Sequence, residues 1–181
     1  MKNIVIIGGT KGIGKAIVSS LVDNNNITCL SRSKSEFSHD NYSHIKYNSL
    51  EDELPDIEFV DCLIYCPGSI NLKPITNLSI DDFRDDFEIN VIGAVKCIKK
   101  YLQQLKNGVN PSILLFSTVA TKLGMPYHAS VSVAKSGIDG LVKTLGAELS
   151  PKIRINAIAP TITDTELASK ILRNEKVIEN M

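Results

Sequence analysis

Three glycines near the N-terminus have a spacing that suits phosphate binding. In the stretch IIGGTKGIGKAI, Gly8, Gly12 and Gly14 follow an apolar run and open a segment of helical period. This arrangement predicts a tight turn at Gly8, close approach of a pyrophosphate to the backbone at Gly12, and close helix packing at Gly14. A glycine loop can also be no more than a tight turn, but its place directly after an N-terminal strand favours dinucleotide binding.

The elements that must position this loop alternate along the chain. Short β-branched apolar runs are followed by longer segments of helical period, in a β-α-β order throughout, which is typical of a parallel sheet covered on both faces. The sequence therefore predicts a Rossmann-type, doubly wound α/β fold. The predicted strands are residues 3–8, 27–30, 44–47, 61–66, 112–117 and 154–159, and the predicted helices lie near residues 14–22, 81–105 and 130–149.

Composition limits the classes of function. The chain has 181 residues, enough for one sizeable core, so a single domain over residues 1–181 is expected. Lys plus Arg and Asp plus Glu are equal at 20 each, which gives no overall attraction to nucleic acid or membrane. No apolar stretch reaches the length of a membrane span or a signal-peptide core, so a cytoplasmic location is expected. The cysteines and histidines lack metal-ligand spacing, and no metal site is predicted.

The motifs together resemble one family. The spacing Gly-x-x-x-Gly-x-Gly, with Asn90, the stretch VAK that ends at Lys135, and the downstream Pro160, is similar to the short-chain dehydrogenase/reductase family over nearly the whole chain. The resemblance implies a nicotinamide cofactor. It also implies that Thr10 and Ile13 join the glycines of the loop in holding that cofactor.

The residues after the second strand indicate which nicotinamide cofactor is bound. An NAD site usually places a carboxylate there, whereas a 2′-phosphate calls for basic and hydroxyl donors. Here the sequence reads Ser31-Arg32-Ser33, and Lys11 in the glycine loop is placed to reach the same phosphate, as in NADP-dependent family members. NADP (NADPH) is therefore predicted in preference to NAD.

Two further loops are implied to lie along the cofactor. Asn48 and Ser49 stand where the family has an Asp-Val-like pair beside the adenine. After the fourth strand, the family's Asn-Asn-Ala-Gly is replaced by Tyr65 followed by Cys66, Pro67 and Gly68. That loop is expected to pass the cofactor ribose, while the structural role of the family's asparagines is lost.

The family's catalytic groups are only partly matched. In the family, a hydroxyl residue positions the carbonyl, a tyrosine gives the proton, a lysine lowers the pKa of that tyrosine, and an asparagine holds a water chain. Asn90 in INVIG matches the asparagine and Lys135 in AKSG the lysine. Thr118 in FSTVA takes the hydroxyl position, with Ser117 as the alternative.

The tyrosine is missing from its usual place. Four residues before Lys135 stands Val131, which has no proton to give. Enoyl-thioester reductases, a divergent branch of the family, carry their tyrosine further from the lysine and an apolar residue at the usual place. Seven residues separate Tyr127 from Lys135, and His128 stands at the position that the tyrosine occupies in the enoyl-thioester reductases. Tyr127 is thus the predicted displaced proton donor, and a loop tyrosine that lines the pocket or simply packs is the alternative.

The C-terminal part of the sequence resembles only some of the elements that the family has there. Pro160, Ile162, Thr163 and Thr165 match a segment that lies against the nicotinamide in the family, and residues 166–181 resemble the start of its substrate-covering helix. Family members continue through a last strand that closes the sheet and helps to build a dimer face. That strand is missing here, so an unprotected sheet edge is expected and homo-oligomerisation stays open.

Two functions remain after these observations. The first is an NADP-dependent oxidoreductase that reduces a carbonyl or conjugated enone of a small hydrophobic substrate, through Asn90, Thr118, Tyr127 and Lys135. The second is an NADP-binding protein without turnover, acting as a redox sensor or a partner subunit. Val131 and the altered loop after the fourth strand favour the second.

Overall fold

Six strands form one all-parallel sheet in the order β3-β2-β1-β4-β5-β6, within residues 1–169, the part of the chain that this computed structural model describes. The predicted doubly wound α/β fold is confirmed, and each predicted strand is present with its ends displaced by at most two residues. The strands are β1 Asn3–Ile7, β2 Asn26–Ser31, β3 Tyr42–Lys46, β4 Cys62–Tyr65, β5 Ser112–Phe116 and β6 Arg154–Ile158.

Helices cover both faces of the sheet. Val18 of helix α1 packs with Ile4 and Ile6 on one face, whereas Tyr101 and Ile138 belong to the larger core on the other face. Because both faces are buried, the central strands are continuous apolar runs without polar alternation. None of the helices within residues 1–169 is long and apolar enough to span a membrane. The helices are α1 Gly12–Leu21, α2 Ile80–Phe87, α3 Gly93–Asn107, α4 Ala120–Leu123 and α5 Ala129–Leu149.

Two crossovers carry no helix, so the β-α-β order is not kept throughout, and none of the three predicted helices fell between residues 30 and 81. Residues 32–41 connect β2 to β3, and residues 47–61 connect β3 to β4. The first connection is short and polar, and covers the core with Phe37, whose ring meets that of Tyr42 edge-on at a centroid distance of 5.0 Å. The second packs Leu54 against the larger core as a loop. Buried loop side chains thus replace helices at this edge of the sheet.

The helix predicted over residues 81–105 is interrupted by a π-helical turn at Glu88–Ile92. The phenol of Tyr65 donates a hydrogen bond of 2.6 Å to the carbonyl of Ile89 inside that turn. Gly93 makes room for the phenol, because a Cβ there would overlap the Tyr65 oxygen. Tyr65 therefore holds a carbonyl that the irregular turn frees, which is a structural role the sequence did not reveal.

The strand order reverses between β1 and β4. In open parallel sheets, ligands bind outside the carboxyl ends of the strands at this switch point. The loops that begin at Gly8, Cys66 and Ser117 leave β1, β4 and β5 at that edge. The fold thus collects the predicted functional loops in one place.

Candidate active site

A pocket of about 180 Å³ opens beyond the carboxyl ends of β4, β5 and β6. The greater part of its wall is apolar and includes Ile13, Ile70, Phe116, Met125, Val131 and Ile162. The polar part of the wall consists of Ser69, Ser117, Thr118, His128, Lys135, Thr161, Thr163 and Thr165. The pocket is also lined by Cys66, Gly68 and Pro160. The structure therefore brings together residues that the sequence analysis assigned separately to the cofactor and to the reaction.

The glycine loop has the geometry that its spacing predicts. Gly8 and Gly12 have positive φ angles of 79° and 49°, a conformation that favours glycine. A Cβ on Gly14 would overlap the carbonyl oxygen of Gly8, so the start of α1 can pack on the loop only without a side chain there. The N-cap of α1, Lys11, makes no side-chain capping bond, and the first turn carries no acidic residue. Its backbone N–H groups are thus left for an anion such as a pyrophosphate.

The predicted 2′-phosphate site needs one correction. Ser31 is 6% exposed, and its hydroxyl donates to the Ser33 carbonyl at 3.0 Å and accepts from Nε2 of His44 at 2.9 Å. Because both bonds hold that hydroxyl inside the protein, Ser31 does not present it to a phosphate. Arg32 and Ser33 are exposed at the end of β2, as a phosphate site requires.

Sequence reasoning missed two basic residues beside the glycine loop. Lys15 and Lys34 line a surface hollow together with Thr10 and Lys11. Lys11 forms an exposed ion pair with Glu166, with 2.7 Å between Nζ and Oε2. An exposed pair of this kind is worth at most about 1 kcal/mol, so a phosphate can displace the carboxylate.

The two outer loops differ in their relation to the pocket. Pro67 packs against Gly8, where its ring would lie 3.2 Å from a Cβ on that glycine, and thereby fixes the loop after β4 on the glycine loop. The backbone N–H of Asn48 donates to Asp52 at 2.7 Å in a tight turn. Ser49 faces a separate hollow with Lys96. The structure thus does not bring Asn48 or Ser49 to the main pocket.

Lys135 lies in α5 and is 8% exposed. Its Nζ donates a hydrogen bond of 2.7 Å to the carbonyl of Phe116, the last residue of β5. Burial lowers the pKa of Lys135 to about 8, while the nearby Cys66 and Asp86 oppose that effect. With this pKa the amine is mostly protonated at pH 7, so Lys135 presents a buried cation to the pocket.

Asn90 is 1% exposed and lies in the π-helical turn. Its Nδ2 donates to Ser69 Oγ at 2.9 Å and to the carbonyl of Asp86 at 2.7 Å. Its buried Oδ1 has no hydrogen-bond partner within the described residues. That oxygen lies 3.4 Å, and Lys135 Nζ 3.5 Å, from the point that a Cβ on Gly68 would occupy. An acceptor and a cation therefore converge on the loop after β4.

Two hydroxyl side chains follow β5, and they differ in exposure and in their hydrogen bonds. Ser117 is 3% exposed, and its hydroxyl makes a long contact of 3.5 Å with the Lys135 carbonyl. Thr118 is half-buried, and its Oγ1 accepts a hydrogen bond of 3.3 Å from the backbone N–H of Ala120. Both residues line the pocket. Thr118 keeps its hydroxyl proton free to donate, which suits the predicted role of orienting a substrate oxygen.

The structure does not bring Tyr127 into this pocket. Tyr127 is 60% exposed and lines a different surface hollow with Lys73 and Pro74. Its φ of 66° turns the chain just before α5, and His128, the next residue, is the one that reaches the pocket wall. Val131 stands in that wall and is 6% exposed. The displaced-donor hypothesis therefore lacks the placement that it requires.

Sequence reasoning also missed Ser69 and Asp86. Ser69 directly follows Gly68 and lines the pocket. Asp86 lies one helical turn before Asn90 and is 0% exposed. The spacing of four between Asp86 and Asn90 was a signal that both share one helix face, but the sequence does not show that this face is buried. No cluster of metal-ligating side chains occurs within residues 1–169.

The comparisons agree on one family. Residues 48–181, well over half of the chain, match a family model described as Enoyl-(Acyl carrier protein) reductase. A 3alpha-hydroxysteroid dehydrogenase of Mediterraneibacter gnavus is 26% identical over 192 residues, which cover 94% of this chain and 77% of that protein. A peroxisomal 2,4-dienoyl-CoA reductase of Saccharomyces cerevisiae is 38% identical over 104 residues, which cover 57% of this chain and 35% of that protein.

A solved structure agrees with these relatives in fold. ElxO with NADP bound superposes with a TM-score of 0.83 at 26% identity, over 97% of this chain and 80% of its own. The predicted amphipathic segment of residues 166–181 lies mostly outside the described residues, which end at Ser169.

Proposed function

Because the chain belongs to the short-chain dehydrogenase/reductase family of oxidoreductases, we propose that it reduces a conjugated enone or carbonyl of a small hydrophobic substrate with NADPH. One observation carries this proposal. The buried Lys135 stands in the wall of a mainly apolar pocket, and its Nζ lies beside Gly68, close to the buried Oδ1 of Asn90. A buried cation in an apolar pocket stabilises negative charge that develops on a substrate oxygen.

The residues present fit the proposed cofactor. The uncapped start of α1 suits a pyrophosphate, and the basic residues Lys11, Lys15, Arg32 and Lys34 surround the place of a 2′-phosphate. Pro160, Ile162, Thr163 and Thr165 line the pocket where the carboxamide would lie. When bound, the reduced nicotinamide supplies the hydride. ElxO, the structural neighbour with NADP bound, supports this choice of cofactor.

The acid chemistry favours a conjugated acceptor. A ketone needs a proton on oxygen as the hydride adds to carbon, and Val131 leaves no phenol for this at the pocket wall. When hydride adds to the β-carbon of an enone, the π electrons move to the oxygen and give an enolate. The Lys135 ammonium and the Thr118 hydroxyl stabilise that enolate, and water protonates its α-carbon.

One family model and one relative support the same substrate class. The matching family model is described as an enoyl reductase, and the yeast relative is a 2,4-dienoyl-CoA reductase. Both names denote reduction of a carbon–carbon double bond conjugated to a thioester carbonyl. The apolar wall around Ile70, Met125 and Val131 suits the hydrocarbon part of such a substrate.

The test combines binding with turnover. NADPH is titrated by its fluorescence, and its consumption is then followed with panels of ketones, enones and 2-enoyl thioesters. We expect micromolar binding and turnover that is faster on conjugated acceptors, with a loss of at least about 100-fold in Lys135→Met. Lys143→Met, an exposed position of the same helix, is the matched control. Tight NADPH binding without turnover on any acceptor would refute the reductase and favour a binding protein.

A further inference from the structure

Helix α2 buries a carboxylate, Asp86, close to the pocket. Its Oδ1 accepts hydrogen bonds from Ser69 Oγ and from Nδ2 of Asn71, the latter at 3.0 Å. Its buried Oδ2 has no partner within the described residues. A fully buried carboxylate that meets only neutral donors is costly unless an opposite charge compensates it.

Lys135 supplies the compensating charge. Burial lowers the pKa of Lys135, and the carboxylate of Asp86 opposes that effect. Ser69, which binds Asp86, directly follows Gly68, and Lys135 Nζ lies 3.5 Å from the point that a Cβ on Gly68 would occupy. Both buried groups thus lie beside the loop after β4, and the attraction of Asp86 offsets part of the cost of burying the Lys135 ammonium.

Other titratable groups around Lys135 do not supply this charge. Burial raises the pKa of the Cys66 thiol, at the end of β4, to about 12, so the thiol is neutral near pH 7. Asp139, one turn further along α5, has its carboxylate 3.6 Å from Lys122 Nζ. His128 faces the pocket from the start of α5 and cannot provide a negative charge. Asp86 is the anion that remains.

The carboxylate also fixes the direction of a hydrogen-bond chain. Because Asp86 Oδ1 only accepts, the Ser69 hydroxyl donates inward and offers its lone pair to Nδ2 of Asn90. With Nδ2 held in this way, the oxygen of the Asn90 amide is the end directed towards Gly68. A buried acceptor then stands beside the same glycine as the Lys135 ammonium.

We propose that Asp86 is a positioning residue of the active site, which holds Lys135 in its ammonium form as a buried counter-charge and orients Asn90 through Ser69. The proposal rests on the proposed function, since it assigns Lys135 to the reaction centre. Asp86 does not line the pocket, so it acts through these three residues and not on the substrate.

The test is Asp86→Asn, which keeps the size and an acceptor oxygen and removes the charge. We expect the alkaline limb of the pH profiles of kcat and of NADPH affinity to move to lower pH by about one pH unit. At pH 9 kcat should fall about tenfold, and at pH 6.5 it should stay within about threefold of the wild type. Asp85→Asn makes the same chemical change at an exposed neighbour and should leave both profiles in place.

A second pair of variants separates the two roles. Ser69→Ala breaks the hydrogen-bond chain from Asp86 to Asn90 without removing a charge. It should therefore lower kcat at every pH and leave the alkaline limb of the pH profile at the same pH. In a Lys135→Arg background the limb should disappear, because arginine does not titrate in this range, and Asp86→Asn should then shift nothing. A purely structural role for Asp86 predicts an equal loss at all pH values, and that result would overturn the proposal.

A measurement without cofactor keeps the two proposals distinct. Urea unfolding of the wild type, Asp86→Asn, Lys135→Met and the double variant gives their coupling at pH 7. We expect clear non-additivity, because each single change already removes the attraction between the two charges, which the double variant does not lose a second time. Additive changes would refute the charge pairing even if the enzyme is an active reductase. Non-additivity without any turnover would refute only the proposed function.

Discussion

Replacement of Lys135 by methionine should stabilise the folded protein while it removes the activity. Methionine keeps an unbranched side chain of similar length and carries no charge. The fall of the Lys135 pKa from the usual 10.5 to about 8, which is the balance of burial against the attraction of Cys66 and Asp86, corresponds to about 3 kcal/mol of destabilisation at neutral pH. Loss of the hydrogen bond to the Phe116 carbonyl costs about 1 kcal/mol in the other direction. The variant should therefore be about 2 kcal/mol more stable at pH 7.

The gain in stability of Lys135→Met over the wild type should decrease as the pH rises. Because the pKa of Lys135 is lower in the folded than in the unfolded state, the unfolded chain binds more protons between about pH 8 and pH 10.5. The stability contributed by this site in the wild type therefore rises with pH in that window. Lys135→Met has no group to titrate there, so its advantage should shrink from pH 7 to pH 10.

Urea denaturation at pH 7 and at pH 10 measures both quantities. Other groups titrate in this range too, but they are common to both proteins and cancel in the difference. Lys143→Met, at an exposed position of α5, controls for loss of a lysine from the same helix and should change the free energy of unfolding by at most about 0.5 kcal/mol. A Lys135→Met protein that is less stable than the wild type at pH 7, or whose gain is the same at both pH values, would show that the buried ammonium does not destabilise the fold.

Three further changes test other parts of the site. Arg32→Asp should weaken NADPH at least about tenfold and leave NADH within about threefold, as measured by titration with both cofactors, and equal losses would contradict the 2′-phosphate site. Gly14→Ala should lower the free energy of unfolding by roughly 3 kcal/mol, because its Cβ meets the Gly8 carbonyl; wild-type stability in urea would show that α1 is not held there. Tyr127→Phe should keep kcat within about threefold, since its ring is 60% exposed outside the pocket; a loss of two orders of magnitude would restore Tyr127 as proton donor.

The sheet and the glycine loop were predictable because they depend on local rules. Apolar runs such as Ile4 to Ile7 are typical of strands that are buried on both faces of a parallel sheet, and three glycines at one strand end have few other uses. The connections were harder to predict. Phe37 and Leu54 lie in loops and cover the core, and hydrophobic periodicity does not predict a tertiary contact made by a loop side chain.

A site residue was predictable where its position in a helix or at the end of a strand is enough to place it near the pocket. Lys135 and Thr118 line the pocket, and Asn90 lies beside Gly68 in the loop next to it, because the helices and the strand that position them were correctly predicted. Tyr127 and Ser31 were misplaced for another reason. Their side-chain directions depend on a backbone turn with positive φ and on a hydrogen bond to His44, and neither can be read from residue type. The direction of a side chain at the end of an element is set by tertiary contacts.

The most direct test of the central claim is hydride transfer itself. NADPH deuterated at both C4 positions is incubated with the purified protein and a conjugated enone or 2-enoyl thioester, and the product is analysed by mass spectrometry and NMR. The account predicts one deuterium per product molecule, on the β-carbon, and almost none when Lys135→Met replaces the wild type. A reduced product that carries no deuterium, or no product from any acceptor while NADPH is bound, would contradict it.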